Sequence, residues 1–261
     1  MHEQSETILE LVGVSKSFGG VHAVKDCSFS VARGSLTGLI GPNGAGKSTS
    51  IDLISGFKTV DSGRILFDGR EIQNQPAYAV SRAGVMRTFQ TPREWAHLTT
   101  MENLLVARID DRVESLRTAL FARGRIREVE HADRVRAREL LADFNLAVVT
   151  DELAGNLSGG QKRLLEFARI MMARPKLVVL DEPQSGVNPV LGGRMGDAIK
   201  QLVASGITVV MVEHNLEFVQ RLCEQVIVMA LGRPIATGPM AELRERPDVL
   251  DAYLGQAAPR V

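Results

Sequence analysis

Cysteine, tryptophan, net charge and long apolar runs are all scarce in this sequence of 261 residues. The two cysteines, Cys27 and Cys223, lie far apart and form no spaced cluster, which excludes a disulfide scaffold or a zinc ribbon and points to a reducing cytoplasm. Lysine plus arginine and aspartate plus glutamate both number 31, so no bulk field draws the chain to nucleic acid or anionic lipid. The longest apolar runs, such as Leu177-Val178-Val179-Leu180 and Val226-Ile227-Val228-Met229-Ala230-Leu231, have strand length, whereas a membrane span needs about 20 apolar residues. The chain itself is not expected to cross a membrane. Met1-His2-Glu3-Gln4-Ser5-Glu6 is polar and acidic and lacks the basic-then-apolar build of a signal peptide. What remains is ordinary globular composition, 44% hydrophobic and 24% charged.

The first third reads as β-rich. Residues 8–14 and 27–31 have strand composition, broken by Gly19-Gly20 and Arg33-Gly34, and 63–69 reads as a strand ending in an Asp-Gly turn. Between residues 101 and 144 the β signal disappears. Val129, Ala132, Val135, Leu140, Leu141 and Phe144 approximate one helical face, and the nine arginines between Arg108 and Arg138 read as a solvated surface. Short apolar strands then alternate with helices to the end. That rhythm predicts an α/β fold around a mainly parallel sheet, with no linker to separate two independent domains.

Two motifs carry chemistry. Gly41-Pro42-Asn43-Gly44-Ala45-Gly46-Lys47-Ser48-Thr49 fits a phosphate-binding loop between a strand and a helix. Its glycines let successive N–H groups face phosphate oxygens, the helix N-terminus adds its dipole, Lys47 would reach the β- and γ-phosphates, and Ser48 would ligate Mg²⁺. Such a loop needs an acidic strand end, and Leu177-Val178-Val179-Leu180-Asp181-Glu182 supplies one. Asp181 is expected to hold the metal, and Glu182, pointing elsewhere, to orient an attacking water.

With Leu157-Ser158-Gly159-Gly160-Gln161 placed between these two motifs, the sequence resembles the ATP-binding cassette (ABC) ATPases, from about residue 8 to residue 255. Ser158, Gly159, Gly160 and Gln161 open a helical stretch, so they read both as a second anion-binding helix end and as a simple N-cap. The resemblance implies that this end closes over the nucleotide of a second, head-to-tail cassette, in a heterodimer of similar but distinct chains. Phe18 matches the aromatic that stacks on adenine, although a core phenylalanine would look the same in sequence. Gln90 resembles the glutamine that senses Mg²⁺ or the attacking water. His214, which alone could equally be structural, resembles the histidine that contacts the γ-phosphate. Ser185-Gly186-Val187-Asn188-Pro189 departs from the family by carrying an amide where a carboxylate is usual.

The resemblance also implies the organisation: an ATPase core with an N-terminal antiparallel β part from about 1–90 and 160–240, a helical subdomain from 91–158, and a helical tail from 241–261. Asn188-Pro189, Arg87-Thr88-Phe89-Gln90, Glu102-Asn103-Leu104-Leu105-Val106-Ala107, Glu213-His214-Asn215 and the tail Pro247-Asp248-Val249-Leu250-Asp251-Ala252-Tyr253-Leu254-Gly255 are similar to ATPases of branched-chain amino acid importers, with lipopolysaccharide-export ATPases as the nearest rival. A soluble ABC protein acting on ribosomes or DNA is the more distant alternative. The implied cofactors are ATP and Mg²⁺. The implied partners are a second cassette, membrane permease subunits and, indirectly, a periplasmic or extracellular substrate-binding protein. The implied place is the cytoplasmic face of the cell membrane, and no nucleic acid partner is expected. Trp95, the only tryptophan, is expected at the groove that receives the permease.

Overall fold

The computed structural model describes residues 6–88, 94–108, 123–185, 187 and 189–254. Two compact units emerge. The first comprises Met1–Gln90, Lys176–Gly186 and Ile199–Val261; the second comprises Thr91–Pro175 and Val187–Ala198.

Among the described residues the first unit holds ten strands in two sheets. β1 (Thr7–Phe18), β2 (Val21–Ala32), β4 (Ser62–Phe67) and β5 (Arg70–Glu71) form an antiparallel sheet ordered β2-β1-β4-β5. β3 (Leu36–Ile40), β6 (Val85–Arg87), β7 (Leu177–Asp181), β8 (Thr208–Val212), β9 (Gln225–Ala230) and β10 (Arg233–Gly238) form the other, ordered β10-β9-β3-β8-β7-β6. That sheet is parallel except for β10, which pairs antiparallel with β9 at one edge. β3, β7 and β8 are buried along their whole length, as strands covered on both faces must be, which is why they read as unbroken apolar runs. The expected α/β core with an N-terminal antiparallel part is what the chain builds.

β1 runs four residues beyond the strand expected from its composition. Gly13, at φ 59°, makes a bulge rather than a break, and its N–H donates to Ser28 Oγ at 2.9 Å while pairing resumes beyond it. Gly38 lies in the middle of β3 for a packing reason. A Cβ there would stand 3.0 Å from Val219 and 3.2 Å from the Cys223 sulfur, both belonging to the helix segment 216–223 that lies on the sheet. Cys27 and Cys223 are free and buried, and burial pushes both thiols up to about 12, so neither is a reactive thiolate near neutral pH.

The helices of the first unit are α1 (Lys47–Ile54), α2 (Ala77–Ala83), α7 (Leu216–Leu222), α8 (Met240–Leu243) and α9 (Pro247–Leu254). The second unit is helical, with α3 (Thr100–Val106), α4 (Arg123–Asp143) and α5 (Gly159–Ala173); α6 (Pro189–Ala204) begins there and ends in the first. The apolar face expected along α4 is buried only in its last turns and just past its end, at Ala137, Leu140, Leu141 and Phe144. Ala132 and Val135 are exposed, because α3 and α5 cover only one end of this long arginine-rich helix.

Two features of the first unit bear on stability. The β9–β10 turn is Leu231-Gly232, both at positive φ, with the Leu231 side chain 81% exposed. A left-handed backbone costs a leucine about 1–2 kcal/mol and an asparagine less, so Leu231→Asn should raise unfolding stability by about 1 kcal/mol. Denaturant unfolding measures this, and an unchanged midpoint would mean that the turn carries no strain. Near the end of α9 the half-buried Tyr253 hydroxyl meets the backbone N–H of Gly41, and burial raises its ionisation from 10.0 to about 12. Because the folded state holds this proton more tightly than the unfolded chain, the contribution is complete below pH 10 and is lost as pH rises to about 12. Tyr253→Phe should remove the tyrosinate absorbance step near pH 12 and flatten that alkaline loss of stability.

Candidate active site

The loop from Gly41 to Gly46 is wedged between backbones that leave no room for side chains. A Cβ on Gly41, at φ 147°, would lie 2.1 Å from the Met229 carbonyl oxygen, and one on Gly46, at φ 97°, 2.4 Å from that of Ala23. Gly44, at φ 76°, faces open space, and Asn43, Gly44 and Ser48 are exposed at the crest. The walls are hydrogen-bonded: Gly232 N–H donates to the Ala45 carbonyl at 3.1 Å, and Lys25 N–H to the Gly232 carbonyl at 2.9 Å. Pro42, Ala45 and Lys47 are buried, while Gly46 and Thr49 are half-buried.

The Lys47 ammonium donates to the carbonyls of Gly41 and Pro42 at 2.7 and 3.0 Å. Burial pulls its pKa below the ordinary lysine value, opposed by the charges of Glu182 and Asp181. Gly46 begins α1 with no side-chain cap, whereas α3, α5 and α7 are capped by Thr99, Ser158 and Asn215. A desolvated cation beside an uncapped helix start, behind a crest open to solvent, fits a polyphosphate. The Ser48 hydroxyl and the Asp181 carboxylate are hard oxygen donors of the type that takes Mg²⁺ alongside phosphate oxygens.

Parallel pairing of β7 with β8 brings the acidic strand end beside the histidine, Asp181 lying opposite Val212. Glu182 sits at φ 48°, a left-handed conformation rarely adopted outside glycine and asparagine, and its N–H donates to the Val212 carbonyl at 2.9 Å. From there its carboxylate meets His214 Nε2 at 2.8 Å. Beneath them Glu213, 4% exposed, accepts the N–H groups of Gln184 and His214 at 2.9 and 3.1 Å and so fixes the loop that carries the histidine. Asp181 takes a different partner: its carboxylate receives Arg87 Nη2 at 3.0 Å, and its N–H donates to Thr88 Oγ1 at 3.3 Å.

Phe18, at the end of β1, is 43% exposed, which rules out the core reading. The ammonium groups of Lys16 and Lys58 lie 5.6 and 5.9 Å from its ring, on a cleft of about 430 Å³ that Phe57, Asn74 and Gln75 also line. Gln90 and Asn188 lie outside the described residues.

In the second unit Ser158 and Gln161 form a reciprocal cap on α5, Gln161 N–H donating to Ser158 Oγ at 3.3 Å and Ser158 N–H to Gln161 Oε1 at 2.9 Å. A Cβ on Gly159 would meet nothing, but one on Gly160 would stand 3.0 Å from Leu191 of α6. Trp95 is 41% exposed and stacks on the Arg169 guanidinium of α5 at 4.0 Å, while Glu94 pairs with Lys162 at 2.7 Å. The structure thus gathers Lys47, Asp181, Glu182 and His214 in the first unit and holds Ser158–Gln161 in the second. Sequence reasoning passed over Arg87, Glu213 and Tyr253 as functional residues. All three stood in quoted motifs, but burial and pairing are not visible in a string.

Comparison with known proteins follows the same lines. A family model described as ABC transporter matches residues 24–185. The chain is 38% identical over 258 residues to the high-affinity branched-chain amino acid transport ATP-binding protein BraF of Pseudomonas aeruginosa, covering 97% of this chain and 100% of that protein. It is 39% identical over 250 residues to the probable branched-chain amino acid transport ATP-binding protein LivG of Archaeoglobus fulgidus, covering 95% of each. A crystal structure of a nucleotide-free ATP-binding cassette from an ABC transporter superposes with a TM-score of 0.79 at 36% identity, covering 95% of this chain and 98% of that one. An ABC transporter cassette in its ADP conformation gives the same score at 34% identity, covering 96% and 99%. With a family model spanning well over half of its length and relatives matched nearly end to end, the chain belongs to the ABC transporter family.

Proposed function

We propose that this chain is the ATP-hydrolysing subunit of an importer that takes up branched-chain amino acids or related small amino acids and amides through a membrane permease. The observation that carries the enzymatic part is the 2.8 Å contact between Glu182 and His214, beside a buried Lys47 that feels both Glu182 and Asp181. The cargo rests on relatives named for branched-chain amino acid transport, which favours that cargo over lipopolysaccharide export.

In this reading Phe18 stacks on the adenine, and amides of the Gly41–Thr49 loop and the Lys47 ammonium bind the phosphates. Ser48, Asp181 and Gln90 would hold Mg²⁺, which would supply positive charge against the phosphates. Glu182 orients a water and takes its proton as the oxygen attacks the γ-phosphorus, the bond from that phosphorus to the bridging oxygen breaks, and ADP and phosphate leave. His214 steadies that carboxylate and reaches the γ-phosphate. Ser158, Gly159, Gly160 and Gln161 close over the nucleotide of a second cassette, and the helical second unit is the subdomain that carries them. ATP prefers the closed pair and hydrolysis removes the preference, so the permease is driven between its two states. Among the described residues no helix is long and apolar enough to cross a membrane, and we place the subunit on the cytoplasmic face, held by its permease.

Glu182→Gln should retain ATP binding and lose about 10²-fold or more in turnover, leaving an ATP-stabilised dimer. Lys47→Ala should lose nucleotide binding. Equal loss of ATP binding in both variants would overturn the division of roles. For the cargo, cells lacking this gene should lose uptake of labelled leucine or isoleucine while their envelope lipopolysaccharide stays normal; the reverse pattern would move the chain to the export class.

A further inference from the structure

Arg87 ends β6 with its side chain 10% exposed and bridges two carboxylates. Nη1 meets Asp52 Oδ1 of α1 at 2.5 Å, and Nη2 meets Asp181 Oδ2 at 3.0 Å. The far oxygen of Asp52 takes the Lys58 ammonium, the same ammonium that lies 5.9 Å from the Phe18 ring. The Phe57 ring covers the guanidinium at 5.6 Å. Two cations and two carboxylates thus form a balanced row running from the flank of Phe18 to Asp181, and three of its members, Asp52, Arg87 and Asp181, are largely out of water.

A carboxylate that is to bind a divalent cation is here already paired with a guanidinium. Asp52 on its other side, the ring above it and the short strand that carries it hold that guanidinium in place. When the ion arrives, Asp181 must be shared between two cations or released by one. We propose that Arg87 is a positioning residue that sets how strongly the site takes its metal: it holds Asp181 oriented and neutralised before the ion binds, and Asp52 retains Arg87 when Asp181 turns to the ion. This rests on the reading of Asp181 as a metal ligand.

The balance of the row gives opposite signs for its two ends. Arg87→Met removes the competing cation, so the gain in ADP affinity brought by Mg²⁺ should increase about tenfold, the scale of one close opposite charge on a carboxylate. Asp52→Asn removes the carboxylate that draws Arg87 away from Asp181, so the same gain should fall severalfold. The measurement is ADP binding by calorimetry on the purified full chain, in EDTA and in saturating Mg²⁺, with the ratio of the two dissociation constants as readout. A residue that merely braces the fold would lower both affinities together and leave the ratio alone. Asp181→Asn is the control: if that variant keeps the wild-type ratio, Asp181 is not a metal ligand and the site reading itself fails. If Asp181→Asn abolishes the gain while Arg87→Met and Asp52→Asn keep the wild-type ratio or move it in one direction, the role of Arg87 is overturned. Should Arg87→Met fail to fold, Asp52→Asn decides alone, and an unchanged or larger ratio refutes the proposal.

Discussion

Everything in the first unit's site depends on the wedge of backbone that holds the glycine loop. Gly41 and Gly46 lie against the carbonyls of Met229 and Ala23, too near for any Cβ, and those carbonyls belong to strands of different sheets. The two sheets are therefore fixed to each other by the loop as well as by the core they share. Any side chain at either position would have to part β2 from the loop or the loop from β9. The site inherits its rigidity from this contact, because Lys47 is aimed by the loop's own carbonyls.

On the other side of the site, register does the work that glycine does in the loop. β7 and β8 end level with each other, so Glu182 and the loop after Val212 emerge side by side. The backbone then takes an unfavourable turn at Glu182 that brings its carboxylate to His214. A residue in that conformation costs about 1–3 kcal/mol, and it persists here because a β-type hydrogen bond to Val212 and the buried Glu213 hold both sides of the turn.

Much of this was legible in the string because the signals were local. The glycine loop, the apolar run ending in Asp181-Glu182 and the Ser158–Gln161 cap each lie within a few residues, and their chemistry follows from spacing. The length of β1 was not legible, since Gly13 looks alike as a break and as a bulge. The burial of α4 was not either, because periodicity shows which face is apolar but not how far a neighbour extends along it. Arg87 was the largest omission. Its partners Asp52 and Asp181 are 35 and 94 residues away, and nothing in either segment marks the three as one row.

The two helix ends that resemble anion sites are finished differently. α5 carries a reciprocal cap of its own, in which Ser158 and Gln161 pair each other's N–H groups before any ligand arrives. α1 has no such closure; its orphan amides are left to whatever enters the loop. Binding energy is therefore delivered unevenly along the chain. By mass action, nucleotide raises the local unfolding free energy of the loop and α1, and amide hydrogen exchange there slows in proportion to ligand occupancy. At the start of α5 the Ser158–Gln161 cap supplies part of that protection from the chain's own side chains. The start of α1 is thus the more ligand-dependent of the two helix ends.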